Sequence, residues 1–240
     1  MNPIEPFSRK GGLSQSRRDV VYGKLKDDLI HYRFRPGDHL SISKLCTSLR
    51  VSNTPVREAL VRLHAERLVR VEPTRGFYAR HLHLEEMQEL YDLTHTLLLR
   101  CLVGGTRPFV ADQVLRPAAL GFQSTARATR VLQAKSDDTA AFIESLLRAI
   151  ARMSGSGVMI EIIGNICDRT HFVRTFEVRE STREYSLSQQ FLALLDCLDR
   201  GDGNGAAAII SRCFHRQKES LPHAVGKAIA SIFMHDSNER

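Results

Sequence analysis

The chain has no tryptophan, and its 240 residues include only 8 prolines, 5 tyrosines and 5 cysteines. The cysteines (Cys46, Cys101, Cys167, Cys197, Cys213) are odd in number and far apart, with no CxxC pair. That pattern argues against a disulfide framework or a zinc ribbon and for free thiols in a reducing compartment. No apolar run approaches the roughly 18 residues of a membrane span, and the start has no secretory apolar segment. The chain also lacks GxSxG, HExxH and Walker motifs and any paired-carboxylate pattern, so nothing points to an enzyme. There is no internal repeat. These absences leave a non-enzymatic protein expected in the cytoplasm.

What is present is positive charge, unevenly placed. The formal net charge is +7. Residues 1–83 carry 16 Lys and Arg against 8 Asp and Glu, whereas residues 84–240 carry 18 against 19. A basic excess confined to one segment gives salt-dependent attraction to phosphate backbones, such as those of double-stranded DNA, without sequence choice.

The most informative stretch lies inside that segment. Val51-Ser52-Asn53-Thr54-Pro55-Val56-Arg57-Glu58-Ala59-Leu60 opens a short helix. Ser52, Asn53 and Thr54 are all suitable N-caps, and Pro55 fits only a first helical turn. Val56, Leu60 and Leu63 share one face, with Ala59 beside them, and Arg57 lies away from it. Upstream, Val20 to Leu29 has helical spacing, Arg35-Pro36-Gly37-Asp38 is a turn, and Leu40 to Leu49 is a second short helix capped by Ser41 or Ser43. Two short helices joined by about four residues make a helix-turn-helix. Downstream, Leu68–Glu72 and Phe77–Arg80 alternate around Pro73-Thr74-Arg75-Gly76. This is a β-hairpin with a basic tip, a wing able to reach a minor groove.

Residues 15–83 resemble the winged helix-turn-helix of the GntR family of bacterial transcription regulators. The resemblance rests on Arg35-Pro36-Gly37 with Leu40, Leu45, Val51 to Leu60, Leu63, Leu68-Val69 and Arg75-Gly76. Asn53 stands where the family most often has arginine, Arg67 where glycine is usual, and Cys46 where alanine is common. The resemblance implies that Ser52, Asn53, Thr54, Pro55 and Arg57 face a major groove. Thr47 and Arg50 mainly contact phosphate, Ser43 is a further DNA contact, and Arg75 and Gly76 enter the minor groove. Arg17, Arg18 and Lys24 add backbone contacts, and two chains bind one palindromic operator as a homodimer.

From His83 onward the pattern is helical, with expected helices at 84–104, 110–132, 137–154, 157–178, 183–200 and 203–220 and a weaker one at 222–234. The expected architecture is therefore mainly α. It comprises an arm (1–13), a winged helix-turn-helix (14–83), a bundle of six or seven helices (84–234) and a tail (235–240). Glu89-Leu90-Tyr91, Ser154-Gly155 and Leu194-Leu195…Leu198…Gly201-Asp202…Ala206 resemble the FCD-type effector domain of the FadR subgroup.

Members of that subgroup often hold a divalent metal between one Asp and three His. Here those positions fall at Ile143, Leu147, Phe191 and Cys213. A shifted register that begins at Asp138 places Phe142 at the first His position. The subgroup's arginine and glutamate fall at Thr94 and Leu98. No metal or other cofactor is expected at the usual site.

The candidate effector pocket is thus Thr94, Leu98, Leu147, Phe191, Cys213 and His215, with an apolar or carboxylate small molecule as its ligand or a filled core in its place. Arg148 is either a carboxylate contact at the rim or a surface arginine. His171 and His215 are candidates to point inward, and His81 and His83 form a pair in the link between domains. The competing expectation is a constitutive DNA-binding protein whose second domain only dimerises.

Overall fold

The computed structural model describes residues 17–115, 136–180 and 184–234. The expected arm, the C-terminal tail and most of the helix expected at 110–132 lie outside the described residues. Only a single 3₁₀ turn, Ala111–Gln113, falls within that last range.

The N-terminal unit contains α1 (Arg17–Ile30), α2 (Ile42–Leu49), α3 (Asn53–Ala65) and the hairpin β1 (Val69–Glu72) and β2 (Gly76–Ala79). Ser41 caps α2 by accepting from the Lys44 amide. Arg50 ends α2 in the left-handed region at φ 53°, which turns the chain directly into α3. Val21, Leu25 and Leu29 of α1 pack on Leu45 and on Val56, Leu60 and Leu63 of α3. Leu60, Leu63 and Leu68 are wholly buried. The apolar stripe read from the sequence is therefore the back of α3.

The strands are antiparallel, with Val69 opposite Ala79 and Glu72 opposite Gly76. His39 bridges to Tyr78, and the Leu40 amide donates to the Phe77 carbonyl at 2.8 Å. This ties the wing to the segment that leads into α2. Gly76 has φ +103°, a conformation that an L side chain adopts only under strain.

Arg67 links α3 to the wing at φ 58°. That backbone conformation explains why glycine is usual there in similar sequences, since a Cβ costs about 1 kcal/mol in the left-handed region. Arg67→Gly is expected to raise the melting temperature by a few degrees, as scanning calorimetry would show. An unchanged or lower value would mean that the Arg67 side chain makes up for its backbone.

Among the described residues the second unit is helical throughout, without a strand. It contains α4 (Leu84–Gly104), α5 (Ser136–Met153), α6 (Gly157–Glu180), α7 (Glu184–Asp199) and α8 (Gly203–Met234). One apolar cluster unites Leu98, Phe142, Leu146, Ile150, Ile163, Leu194 and Ile210, and a second unites Met87, Tyr91, Val173, Leu221 and Val225. The two last helices expected from the sequence are one, with Pro222 inside it. Proline removes one amide from the ladder. The helix continues because Leu221, Ala224, Val225 and Ala228 on either side are all buried, so packing outweighs local propensity.

Candidate nucleic-acid interface and effector bundle

Ser52 is the N-cap of α3, and its side chain makes no cap hydrogen bond. Ser52, Asn53, Thr54 and Arg57 are all exposed at the leading end of the helix. Their polar groups project outward because Val56, Ala59, Leu60 and Leu63 occupy the opposite face. Among the described residues no carboxylate pairs with Arg57.

Pro55 departs from the expected contact set. It is buried in the first turn, where it shapes the helix start and offers no surface to a partner. Thr47 is exposed, but its hydroxyl donates to the Ser43 carbonyl at 3.1 Å. The Ser43 hydroxyl lies 3.0 Å from that of Ser41. Arg50 is exposed at the end of α2. The Arg75 side chain is 76% exposed at the wing tip, 3.7 Å from Glu72, and is free to turn toward a phosphate or a groove.

Two of the expected backbone contacts are already engaged. Arg18 pairs with Glu58 at 3.2 Å and Lys24 with Asp28 at 2.9 Å. Arg17 is exposed on the first turn of α1.

In the bundle, Leu98 and Leu147 belong to one packed cluster, with Phe191 and Cys213 against it. Phe191 meets Phe142 edge-on, with centroids 5.4 Å apart, and the Cys213 thiol donates to Gln190 Oε1 at 3.3 Å. Thr94 is buried, and its hydroxyl is used by the Leu90 carbonyl at 2.7 Å. His215 is a correction to the expected pocket. Its side chain is 82% exposed, and Glu219 is its nearest acid at 3.9 Å, so no bend of α8 turns it inward.

The positions where the subgroup places metal ligands carry Ile143, Leu147, Phe191 and Cys213. Ile143 and Leu147 are buried among aliphatic neighbours. That set offers one thiol and three hydrocarbon side chains, too few donors to hold a divalent ion.

A different polar cluster occupies the bundle interior. Arg174 donates to Glu144 Oε1 at 2.6 Å and to the Thr170 hydroxyl at 2.9 Å. His171 points inward, with its Nδ1 3.0 Å from the same Glu144 oxygen and its Nε2 3.3 Å from His31 Nε2 on the N-terminal unit. Burial alone would raise the Glu144 pKa. The hydrogen bond from His171 and the charge of Arg174 outweigh that and hold it below the usual carboxylate range. Arg148, a rim or surface arginine on the sequence reading, donates instead to Asp168 at 2.6 Å.

Glu177 lies at the far end of this cluster, where it accepts from the Tyr91 hydroxyl at 2.7 Å. Burial pushes its carboxyl up to about 7, against the hydrogen bond from Tyr91 and the charge of Arg174. The folded chain therefore keeps a proton that the unfolded chain releases near 4.5. Stability on this account is fullest below that lower value and is lost as pH rises through about 7. Glu177→Gln is expected to gain about 2–3 kcal/mol over the wild type between pH 5 and pH 8. Denaturant unfolding at the two pH values measures this, and a pH-independent difference would contradict it.

A helix-turn-helix, a wing and a surface-directed polar helix tip define a DNA-binding transcription regulator. Comparison with known proteins agrees. The family described as bacterial regulatory proteins, gntR family, matches residues 17–79, and the FCD domain matches residues 121–216, together more than half of the chain. The chain belongs to the GntR family and carries an FCD domain. This is a family of transcription regulators, not of enzymes.

Among curated relatives, the chain is 25% identical over 214 residues to the Nta operon transcriptional regulator of Aminobacter aminovorans, covering 87% of this chain and 96% of that one. It is 27% identical over 88 residues to the HTH-type transcriptional repressor RspR of Escherichia coli, covering 37% and 34% of the two chains. Two solved structures share the fold. A putative GntR transcriptional regulator from Rhodococcus sp. RHA1 aligns with TM-score 0.63 at 22% identity, over 87% of this chain and 99% of that one. McbR/YncC of E. coli aligns with TM-score 0.59 at 21% identity, over 86% and 97%.

Sequence reasoning missed Arg80, Glu86, Glu144, Arg169 and Arg174. One signal was available. Thr170, Arg174 and Glu177 place polar groups at spacings of four and three on an otherwise apolar face of α6, which marks a buried polar stripe.

Proposed function

We propose that two copies of the chain bind a palindromic operator and present two α3 tips to successive major grooves, with a small molecule in the FCD unit altering the placement of the tips. The exposed tip Ser52-Asn53-Thr54-Arg57 on an apolar-backed helix carries this reading. Ser52, Asn53, Thr54 and Arg57 touch bases and phosphates, Ser43, Thr47 and Arg50 lie toward phosphate, and Arg75 and Gly76 enter the minor groove.

The effector shifts the heads only by as much as its affinity differs between their two arrangements. The bundle does this without a divalent metal at the subgroup's usual positions. The apolar side chains there support that, and metal analysis of the purified protein tests it. Among the described residues no helix is long and apolar enough to cross a membrane. We place the protein in the cytoplasm with its DNA.

The test is to select bound sites from random duplexes, then to screen metabolites for release of the selected site in a mobility-shift assay. Saturable release by one compound supports effector control. A complex that no compound disturbs favours the competing reading, a constitutive binder whose second unit only dimerises.

A further inference from the structure

Four side chains from four parts of the chain meet where the N-terminal unit joins the bundle. Tyr32 follows α1, Arg80 follows β2, Glu86 lies in the first turn of α4 and Arg169 lies on α6. Arg80 Nη2 donates to the Arg169 carbonyl at 2.5 Å, and its Nη1 stands 3.7 Å from Glu86 Oε1. Arg169 Nη2 donates to the same Glu86 oxygen. The Tyr32 ring lies beneath the Arg80 guanidinium at 5.4 Å.

The two arginine side chains are only 9% and 10% exposed. Two buried guanidiniums thus share one carboxylate oxygen, and the cluster keeps surplus positive charge. Its donors also exceed its acceptors. The Tyr32 hydroxyl, Arg80 Nε, Arg80 Nη1 and Arg169 Nε are buried without a hydrogen-bond partner. Buried donors, charged ones above all, seldom remain unmatched, because burial strips their water and returns nothing. The start of α4 adds to the positive field, since its N-cap His83 supplies no side-chain hydrogen bond to the free amides.

A cleft of about 1040 Å³ opens beside this cluster. Glu86 and Arg169 are in its wall together with the acids Glu66, Glu89, Glu161 and Asp168 and four further cations, whereas Arg80 does not line it and is reached only past Glu86 and Arg169. Glu86 is the more accessible of the two, its side chain being 28% exposed.

We propose that this junction binds a small oxyanion, the carboxylate or phosphate group of a metabolite, which enters from the cleft and takes the place of Glu86 between Arg80 and Arg169. The proposal rests on the reading of the chain as an effector-controlled regulator and names the chemistry and place of the effector. Guanidinium forks match the planar oxygens of carboxylates and phosphates. Glu86 is the internal occupant that holds the arginines until the ligand arrives. Because Tyr32 and Arg80 belong to the N-terminal unit and its link, and Arg169 to the bundle, an anion held among them couples ligand to head placement.

The test uses the full chain with inorganic phosphate and succinate as separate probes, read by calorimetry at constant ionic strength balanced with potassium chloride. Saturable binding of at least one probe is expected. Glu86→Gln removes the competing charge and is expected to bind that probe at least tenfold tighter. Arg169→Gln is expected to abolish binding, whereas adventitious phosphate on the basic DNA-binding face would survive that change.

No saturable binding to either the wild type or Glu86→Gln overturns the proposal. So does equal or weaker binding by Glu86→Gln, or binding retained by Arg169→Gln. If Arg169→Gln does not fold, the comparison of Glu86→Gln with the wild type decides alone. Operator binding is scored separately. A protein that binds the probe yet holds its operator unchanged contradicts the effector reading, not the site.

Discussion

Arg57→Ala is expected to weaken binding to the selected operator at least about tenfold while leaving the melting temperature unchanged. Arg57 lies one turn into α3, exposed, with no acid paired to it among the described residues. A bidentate arginine–guanine contact is worth about 1–3 kcal/mol of discrimination. If the guanidinium meets a phosphate instead, its removal weakens binding evenly across sequences and lowers the salt dependence. In neither case is the core disturbed, because Val56 and Leu60 hold the helix from the other side. Surface changes of this kind alter stability by about 0.5 kcal/mol or less. Mobility-shift titrations at two salt concentrations, beside thermal melts, separate the two kinds of recognition. Equal affinity for the variant and the wild type would remove Arg57 from the interface.

Arg174→Ala is expected to have the largest effect on stability, a loss of about 3–5 kcal/mol. The side chain is 4% exposed and makes a charge-assisted hydrogen bond to Glu144 while lying over the Tyr91 ring at 5.8 Å. Removing it leaves a buried carboxylate whose remaining ionisable hydrogen-bond partner among the described residues is His171. That uncompensated charge, rather than the missing attraction, makes up most of the cost. The double change Arg174→Met with Glu144→Leu is therefore expected to recover much of the loss, since replacing both partners by apolar groups is often close to neutral. Denaturant unfolding of the two singles and the double measures the coupling. A double variant as unstable as Arg174→Ala would show that shape, not charge, dominates the cluster.

The N-terminal unit was legible because its signals are local. Ser41 as a cap, the stripe of Val56, Leu60 and Leu63, and the glycine at the wing tip each act within a few residues, and each is observed. The left-handed Arg67 was visible only as an odd residue at a position where glycine is usual. The bundle was less legible. Pro222 broke the helical pattern locally, yet α8 runs through it because residues distant in sequence bury both sides. The junction cluster was hidden for the same reason. Tyr32, Arg80, Glu86 and Arg169 share no spacing, and only the docking of one unit on the other brings them together. His215 was misplaced because helical phase over a long α8 cannot be fixed from the sequence around one cysteine.

Guanine-methylation interference on the selected operator tests the central claim most directly. The account predicts interference in two patches of major groove about one helical turn, roughly 10 base pairs, apart, and, where Arg57 reads a guanine, loss of one guanine signal in each patch for Arg57→Ala. An absence of guanine interference from the major groove, or equal binding of selected and scrambled duplexes at the same salt, would contradict it.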